Sequence, residues 1–318
     1  MPTVNYADAY QKSIEEAYYP TALYSADLWN SPSNSLYSFD GAKHIKVPKL
    51  TIEHGRRDRA RRTITTPQAN YSNDWISYEL TQERYWDTLV DPLDIDESNY
   101  VVSIANITKQ FNLDQKMPEM DRYMFSKLYK DKVKLDANYK ANSDAIDEKN
   151  ALKLFDDMMA KMDDKRVAMQ NRVLYVTPKM NSILKRADAV NRTVVLNNSK
   201  SLNRSVYSLD DVTIKVVPAD LMQTDFDFTD GSKVKSGAKQ IDMMLINNGV
   251  QLAPQKYSFV GFDAPSAANA GNYLYYEDAY YDVLLIQSRT AGIDFHISDV
   301  ASAEPAASTE PASTSTGK

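Results

Sequence analysis

Apolar residues recur with helical spacing in three parts of the chain. Ile104, Ile107 and Phe111 lie at i, i+3 and i+7, a spacing that places them on one helix face. They predict a long helix within residues 100–140, bent or interrupted near Pro118. Two further helices are predicted, one from the apolar stripe Leu152, Phe155, Met159 and Met162, and one capped by Thr177 with Pro178 at its first position.

Runs rich in branched and aromatic residues predict strands between and around these helices. RVLYVT, from Arg172 to Thr177, is apolar enough for a buried strand. The segments HIKVPKLTI and NDWISYELT flank a polar stretch and predict a long two-stranded excursion. Further strands are predicted at VTIKVV, IDMMLI, VLLIQS and GIDFHI. Because helices and strands are interleaved, the predicted fold class is α+β.

The charge changes sign along the predicted excursion. Residues 41–62 hold eight basic residues against two acidic ones, a net charge of +6, and residues 63–99 hold one basic residue against eight acidic ones, a net charge of −7. Arginine pairs with carboxylates and with phosphates. The acidic stretch favours pairing between subunits, with a solvated loop and a nucleic-acid contact as alternatives. The predicted contact residues are Arg56, Arg57, Arg59, Arg61 and Arg62 on the basic side and Asp91, Asp94, Asp96 and Glu97 on the acidic side.

The residue types that enzymatic chemistry needs are sparse. The chain has no cysteine and three histidines, and the histidines are not in a zinc-like spacing. It has no glycine-rich phosphate loop and no nucleophile elbow. The acidic segments DPLDIDESN and DFDFTDG do not fit a calcium-binding EF-hand loop. We therefore predict a non-enzymatic protein with no catalytic residue, cofactor or metal. The sequence has no run of about 20 apolar residues, so no membrane-spanning helix is predicted.

Several stretches together resemble the major capsid proteins of tailed bacteriophages that infect Gram-positive bacteria, which have the Hong Kong 97-type capsid fold. YSFDGAKHIKVPKLT is similar to the start of the family's extended loop, and YELTQERYWDTLVDPLDIDESN to its return strand and acidic turn. PEMDRYMFSKLYK resembles the spine helix, NRVLYVTPKMNSILK a strand and helix of the axial domain, and YYDVLLIQSRTAGIDFHI the closing strands of the peripheral domain. The stretches occur in the family's order and cover most of residues 1–300.

The resemblance implies an arm, an extended loop that lies over the adjacent subunit, and two domains. The implied segments are 1–40 for the N-terminal arm, 41–99 for the extended loop and its base, 100–149 for the spine-helix region of the peripheral domain, 150–282 for the axial domain, and 283–300 for the closing strands of the peripheral domain. Residues 301–318 contain no branched aliphatic or aromatic residue. We expect them to be a disordered tail, because they have too little apolar surface to bury.

The resemblance also implies a shell subunit that self-assembles into hexamers and pentamers of an icosahedral virion enclosing double-stranded DNA. Assembly would take place in the host cytoplasm with a separate scaffolding protein and a portal protein, and a decoration protein is a further candidate partner. DNA would meet the subunit only at the shell interior, and no membrane partner is expected. Two alternatives remain: an encapsulin-like compartment, which the contents of the particle would identify, and an enzyme, which a deep pocket of convergent polar groups would indicate.

Overall fold

The computed structural model describes residues 22–41, 43–56, 61, 69–97, 104–187 and 208–299. The predicted disordered tail, residues 301–318, and the first 21 residues of the predicted arm lie outside the described part. The helices are α1 (Ala26–Trp29), α2 (Pro92–Glu97), α3 (Ile104–Phe111), α4 (Met117–Leu135), α5 (Ala151–Asp164) and α6 (Pro178–Arg186). The strands are β1 (Ser38–Asp40), β2 (His44–Ile52), β3 (Tyr71–Glu79), β4 (Gln82–Val90), β5 (Arg172–Val176), β6 (Ser208–Leu209), β7 (Val212–Val216), β8 (Phe226–Asp227), β9 (Lys233–Val234), β10 (Lys239–Asn247), β11 (Gln251–Leu252), β12 (Gln255–Asp263), β13 (Tyr273–Tyr281), β14 (Leu284–Leu285) and β15 (Ile293–Asp299).

A five-stranded sheet in the order β15-β10-β5-β7-β6 forms the middle layer of the core. Strand β5 is buried along its whole length, because its alternating side chains enter two different cores. Val173 and Tyr175 pack with α4 on one face, while Leu174 and Val176 pack with α5 and α6 on the other. The prediction of a buried strand at residues 172–177 is therefore confirmed. The predicted amphipathic helix with the apolar stripe from Leu152 to Met162 is confirmed as α5.

The predicted long helix divides into two helices. A π-helical turn at Asn112–Lys116 separates α3 from α4. Pro118 closely follows this π-helical turn, and the backbone stays helical through Lys116 and Met117. A proline within a helical backbone has no N–H to donate to the preceding turn, so the departure from regular α-helical bonding lies where the proline requires one. The predicted interruption is thus confirmed, but it lies one turn before the proline. The predicted cap of α6 is also confirmed, because the Thr177 side chain accepts a hydrogen bond from the Met180 N–H.

The prediction of a strand over all of VLLIQS is wrong. Only β14 pairs there, with β11, and residues Gln287–Gly292 form a 3₁₀ helix. Buried carboxylates take two of the backbone N–H groups that a longer strand would use. The Leu285 N–H donates to Asp131 Oδ2 at 3.3 Å, and the Val283 N–H donates to the Asp282 side chain at 2.7 Å. One neighbouring carboxylate and one from a distant part of the chain therefore replace part of the ladder.

Residues 24–36, within the predicted arm, pack into the body of their own chain. Leu28 is fully buried in the core beside α4. The Tyr24 and Ser25 N–H groups donate to the buried Asp121 carboxylate of α4, at 3.1 and 3.0 Å. Ser31 Oγ donates to the Gln251 carbonyl at 2.8 Å. The described part of this segment is therefore bound to the subunit, while the assignment of residues 1–40 as an arm stays a prediction.

Candidate intersubunit surface

The predicted two-stranded excursion is a nine-pair antiparallel hairpin of β2 and β3. Its register runs without a bulge from the pair His44–Glu79 to the pair Ile52–Tyr71. At about 3.3 Å per residue, the ladder is about 30 Å long. Strand β1 pairs only with residues 44–46 of β2, so the hairpin is two-stranded beyond Lys46. A two-stranded ribbon is only marginally stable by itself in water.

One face of the distal hairpin carries an apolar stripe that the subunit leaves bare. The register pairs Pro48 with Trp75 and Ile52 with Tyr71, and Leu50 lies between these pairs on the same face. The exposed fractions are 65% for Leu50, 70% for Ile52, 69% for Tyr71 and 51% for Trp75. A contiguous exposed apolar patch of this kind marks a contact surface. We call these five residues the apolar stripe.

The base of the hairpin is held by a buried carboxylate, which we call the hairpin junction. Asp282 is fully buried and accepts hydrogen bonds from the Thr81 N–H at 2.7 Å and from Thr81 Oγ1 at 2.9 Å. It also accepts from the Tyr123 hydroxyl of α4 at 2.6 Å. Burial, followed by the nearby Asp282 charge, raises the pKa of Tyr123. The phenol therefore stays protonated and keeps donating.

Apolar contacts reinforce the junction. Ile45, Val47 and Leu80 are buried against side chains of β11 and β14, namely Leu252 and Leu284. The hairpin thus leaves the body in a defined direction, while its distal half has no partner among the described residues of this chain. Sequence reasoning missed the junction, because Thr81 and Asp282 lie about 200 residues apart and no local pattern relates them.

Two of the five predicted basic residues, Arg56 and Arg61, lie in the described part of the chain, in the segment between β2 and β3. Arg56 and Arg61 are exposed, and in the described part of the chain no ion pair joins either of them to an acidic side chain. Arg57, Arg59 and Arg62 lie outside the described residues.

The predicted acidic residues begin at the far end of β4. Asp91 is exposed and accepts a hydrogen bond from the Leu93 N–H at 2.9 Å, at the start of α2. Asp94 lies half-buried in α2. Asp96 and Glu97 also belong to α2, but their side chains lie outside the described part. Two nine-residue strands, β3 and β4, separate this segment from the tip along the chain.

The described residues contain no group of three or more histidine, aspartate or glutamate side chains placed to hold a metal ion. Among the helices that the structure describes, none is long and apolar enough to cross a membrane.

The fold has relatives among solved structures, although no protein-family model and no curated protein matches the sequence. The chain is similar to the mature capsid of bacteriophage PhiM1, at 11% identity and a TM-score of 0.62, covering 92% of this chain and 91% of that one. It is similar to the capsid of cyanophage P-SCSP1u, at 11% identity and a TM-score of 0.57, covering 91% of each chain. It is also similar to a structure from Mycobacterium phage Che8, at 14% identity and a TM-score of 0.57, covering 90% of this chain and 93% of that one. The predicted α+β phage-capsid fold is therefore confirmed.

Proposed function

We propose that this chain is the major capsid protein of a tailed bacteriophage, a structural subunit that assembles into hexamers and pentamers of an icosahedral shell around double-stranded DNA. The observation that carries the proposal is the apolar stripe on a long hairpin, within a fold that phage capsid chains share. No residue in the described part of the same chain covers that stripe, whereas a neighbouring subunit in a shell covers it in every copy. Burial of an exposed leucine or isoleucine is worth about 1.5–3 kcal/mol.

The proposal includes the segment organisation inferred from the resemblance. Residues 1–40 act as the N-terminal arm, 41–99 as the extended loop and its base, 100–149 and 283–300 as the peripheral domain, and 150–282 as the axial domain. Strand β13, within residues 150–282, pairs with β4, within residues 41–99, so these two segments share one sheet. The partners are other copies of the chain, a separate scaffolding protein, a portal protein and a decoration protein. The subunit assembles in the host cytoplasm and ends in the virion.

A structural role without catalysis also belongs to the proposal. It rests on the scarcity of catalytic residue types in the sequence and on the likeness of the fold to phage capsid chains. Those relatives are phage capsids, so they lend no support to an encapsulin-like compartment or an enzyme.

The proposed function is tested by assembly. The chain, expressed with the scaffolding protein of its own phage, is expected to form closed shells of uniform size in negative-stain microscopy and sedimentation. The double variant Leu50→Ser, Ile52→Ser should fold but assemble poorly, because it removes the centre of the apolar stripe. A matched control is Val234→Ser on β9, which is also half exposed and should assemble normally. A wild-type chain that stays a compact monomer at every concentration, with its scaffold present, contradicts the proposal.

A further inference from the structure

A second exposed surface lies on the three-stranded sheet in the order β12-β13-β4. Strand β4 alternates between half-buried and exposed residues. Its half-buried side faces the helices: Trp86 stacks on Phe111 with ring centroids 3.8 Å apart, and Arg84 pairs with Glu119 at 2.7 Å. The opposite side of the sheet therefore faces away from α3 and α4.

The register identifies the side chains on this open side. Tyr85 lies opposite Asp278, Asp87 opposite Tyr276 and Leu89 opposite Leu274. On the other edge, Phe259 lies opposite Asp278 and Asp263 opposite Leu274. Together with Glu83 these residues form what we call the acidic aromatic face: Glu83, Tyr85, Asp87, Leu89, Phe259, Asp263, Leu274, Tyr276 and Asp278.

The face combines rings with negative charge. Tyr276 lies between two rings, 6.3 Å from Tyr85 and 6.4 Å from Phe259 between centroids. The exposed fractions of Tyr85 and Phe259 are 69% and 46%. Four carboxylates lie among these rings, and none of the nine residues that define the face is basic.

One carboxylate on this face lacks a partner. Asp278 Oδ1 is buried and has no hydrogen-bond partner among the described residues. A buried acceptor without a donor is costly, and a donor from another chain would remove that cost. Aromatic rings beside an unpaired carboxylate oxygen suit a guanidinium group, which stacks on rings and donates to carboxylates in the same plane.

We infer that the acidic aromatic face binds the arginine-rich segment GRRDRARR, residues 55–62, of a second copy of the chain. This inference rests on the proposed function and names the surface that receives the hairpin tip. The segment holds five arginines in eight residues. Its charge is opposite to that of the face, and the face continues along β4 to Asp91 at the start of α2.

The arginine-rich segment comes from another copy because of the hairpin geometry. The sheet begins beside the hairpin junction, where the Tyr280 hydroxyl donates to the Leu80 carbonyl at 3.0 Å. The unbroken nine-pair ladder holds its last pair, Ile52 and Tyr71, about 30 Å from that junction. Folding the tip back onto its own sheet would break those pairs.

Photo-cross-linking in assembled shells tests the inference. Tyr85 is replaced by p-benzoylphenylalanine, and shells are assembled from a mixture of ¹⁴N- and ¹⁵N-labelled subunits. Mass spectrometry is expected to find cross-links from position 85 to residues 53–64 of a copy with the other label. The control places the same group at Met169, which is also exposed and should give no cross-link to that segment.

The ring contribution is tested by two substitutions of the exposed Tyr85. Tyr85→Leu keeps an apolar side chain but loses the ring, so each contact with an arginine should weaken about two- to five-fold. Shells of this variant should dissociate at lower salt than wild type, whereas Tyr85→Phe should match wild type. Cross-links from position 85 to another segment, or equal salt tolerance of all three, overturn the inference while the shells still support the proposed function. If wild-type chains form no shells, the proposed function itself fails.

Discussion

At the scale of single residues, Gly292 lies where a side chain has no room. It ends the 3₁₀ helix before β15 and is buried. A Cβ atom at this position would lie 2.5 Å from Val250 Cγ1, a side chain with only 4% exposure. Close-packed interiors transmit such an overlap to their neighbours.

Gly292→Ala is therefore expected to lower the free energy of unfolding by about 1–3 kcal/mol, the usual cost of overpacking a core. Chemical denaturation of the unassembled subunit measures this. Gly55→Ala is the matched control: nothing lies within 4 Å of its Cβ position, and its effect should be within about 0.5 kcal/mol. Adding Val250→Ala should recover part of the loss, and a neutral Gly292→Ala would show that Val250 moves aside freely.

A buried carboxylate on α4 makes stability depend on pH. Burial raises the pKa of Asp131, although Lys127, 3.1 Å away, opposes the shift. The folded chain therefore binds this proton at a higher pH than the unfolded chain, whose aspartate pKa is about 3.9. The penalty on the charged form is relieved as pH falls through the raised pKa. The contribution of Asp131 to stability thus rises on acidification toward about pH 4 and is lowest above the raised pKa.

Asp131→Asn removes this titration and keeps an acceptor for the Leu285 N–H. In urea denaturation, the free energy of unfolding of wild type, relative to that of this variant, is expected to increase as the pH is lowered from 7 to 4.5. Asp230→Asn is the control, since the side chain of Asp230 is 93% exposed and its removal should leave the difference unchanged. A difference between wild type and Asp131→Asn that is flat with pH would contradict the assignment.

At the scale of elements, the hairpin joins a fixed base to a distal half that needs a partner. Asp282, Thr81 and Tyr123 hold the base, and the apolar stripe and the basic tip lie beyond it. A single exposed ion pair is worth only about 0–1 kcal/mol. In a closed shell the same contact is repeated at every interface and is held at high effective concentration by its neighbours. The proposed arginine pairs, although individually weak, would therefore affect assembly more than folding.

The double variant Arg56→Glu, Arg61→Glu is expected to fold but assemble weakly, as wild type does at high salt, because salt screens exposed pairs. Reversing Asp91 and Asp94 to lysine as well should restore assembly in part. Lys149→Glu, Lys153→Glu makes the same charge change at exposed residues elsewhere and is the control. The yield of particles is measured against salt concentration for the arginine variant, for the variant with Asp91 and Asp94 also reversed, and for the lysine control. Shells of the arginine variant with wild-type yield and salt tolerance would argue against pairing, and normal empty shells with poor DNA retention would favour the nucleic-acid alternative.

At the scale of the whole molecule, the described residues form a core and leave two surfaces of this core uncovered, the apolar stripe and the acidic aromatic face. The five-stranded sheet, α4, α5 and α6 bury their apolar residues against one another. The apolar stripe and the acidic aromatic face remain open, on a hairpin and on a sheet that are both tied to that core. This distribution fits the proposed shell subunit, whose remaining apolar surface would be buried by other copies.

The sequence by itself determined the elements and the charges. The helical period of apolar residues predicts α3 and α5, because residues three or four positions apart lie on the same face of a helix. The continuous apolar run RVLYVT predicts the buried strand β5. The reversal of charge along residues 41–99 is likewise readable without a structure. The failure at VLLIQS marks the limit, since there the backbone donates to carboxylates that are brought in from elsewhere in the chain, such as Asp131.

Only the tertiary structure decided how those elements meet. Strand β4 pairs with β13, nearly 200 residues later, and this pairing determines that Tyr85 faces outward while Trp86 packs on α3. The same closure brings Asp282 to Thr81. Two distant strands pair when the surface they bury together outweighs the entropy lost in closing the loop between them. The local spacing of apolar residues does not carry that information. The sequence therefore predicted the elements and the reversal of charge, and the structure identified two faces that the described residues leave open.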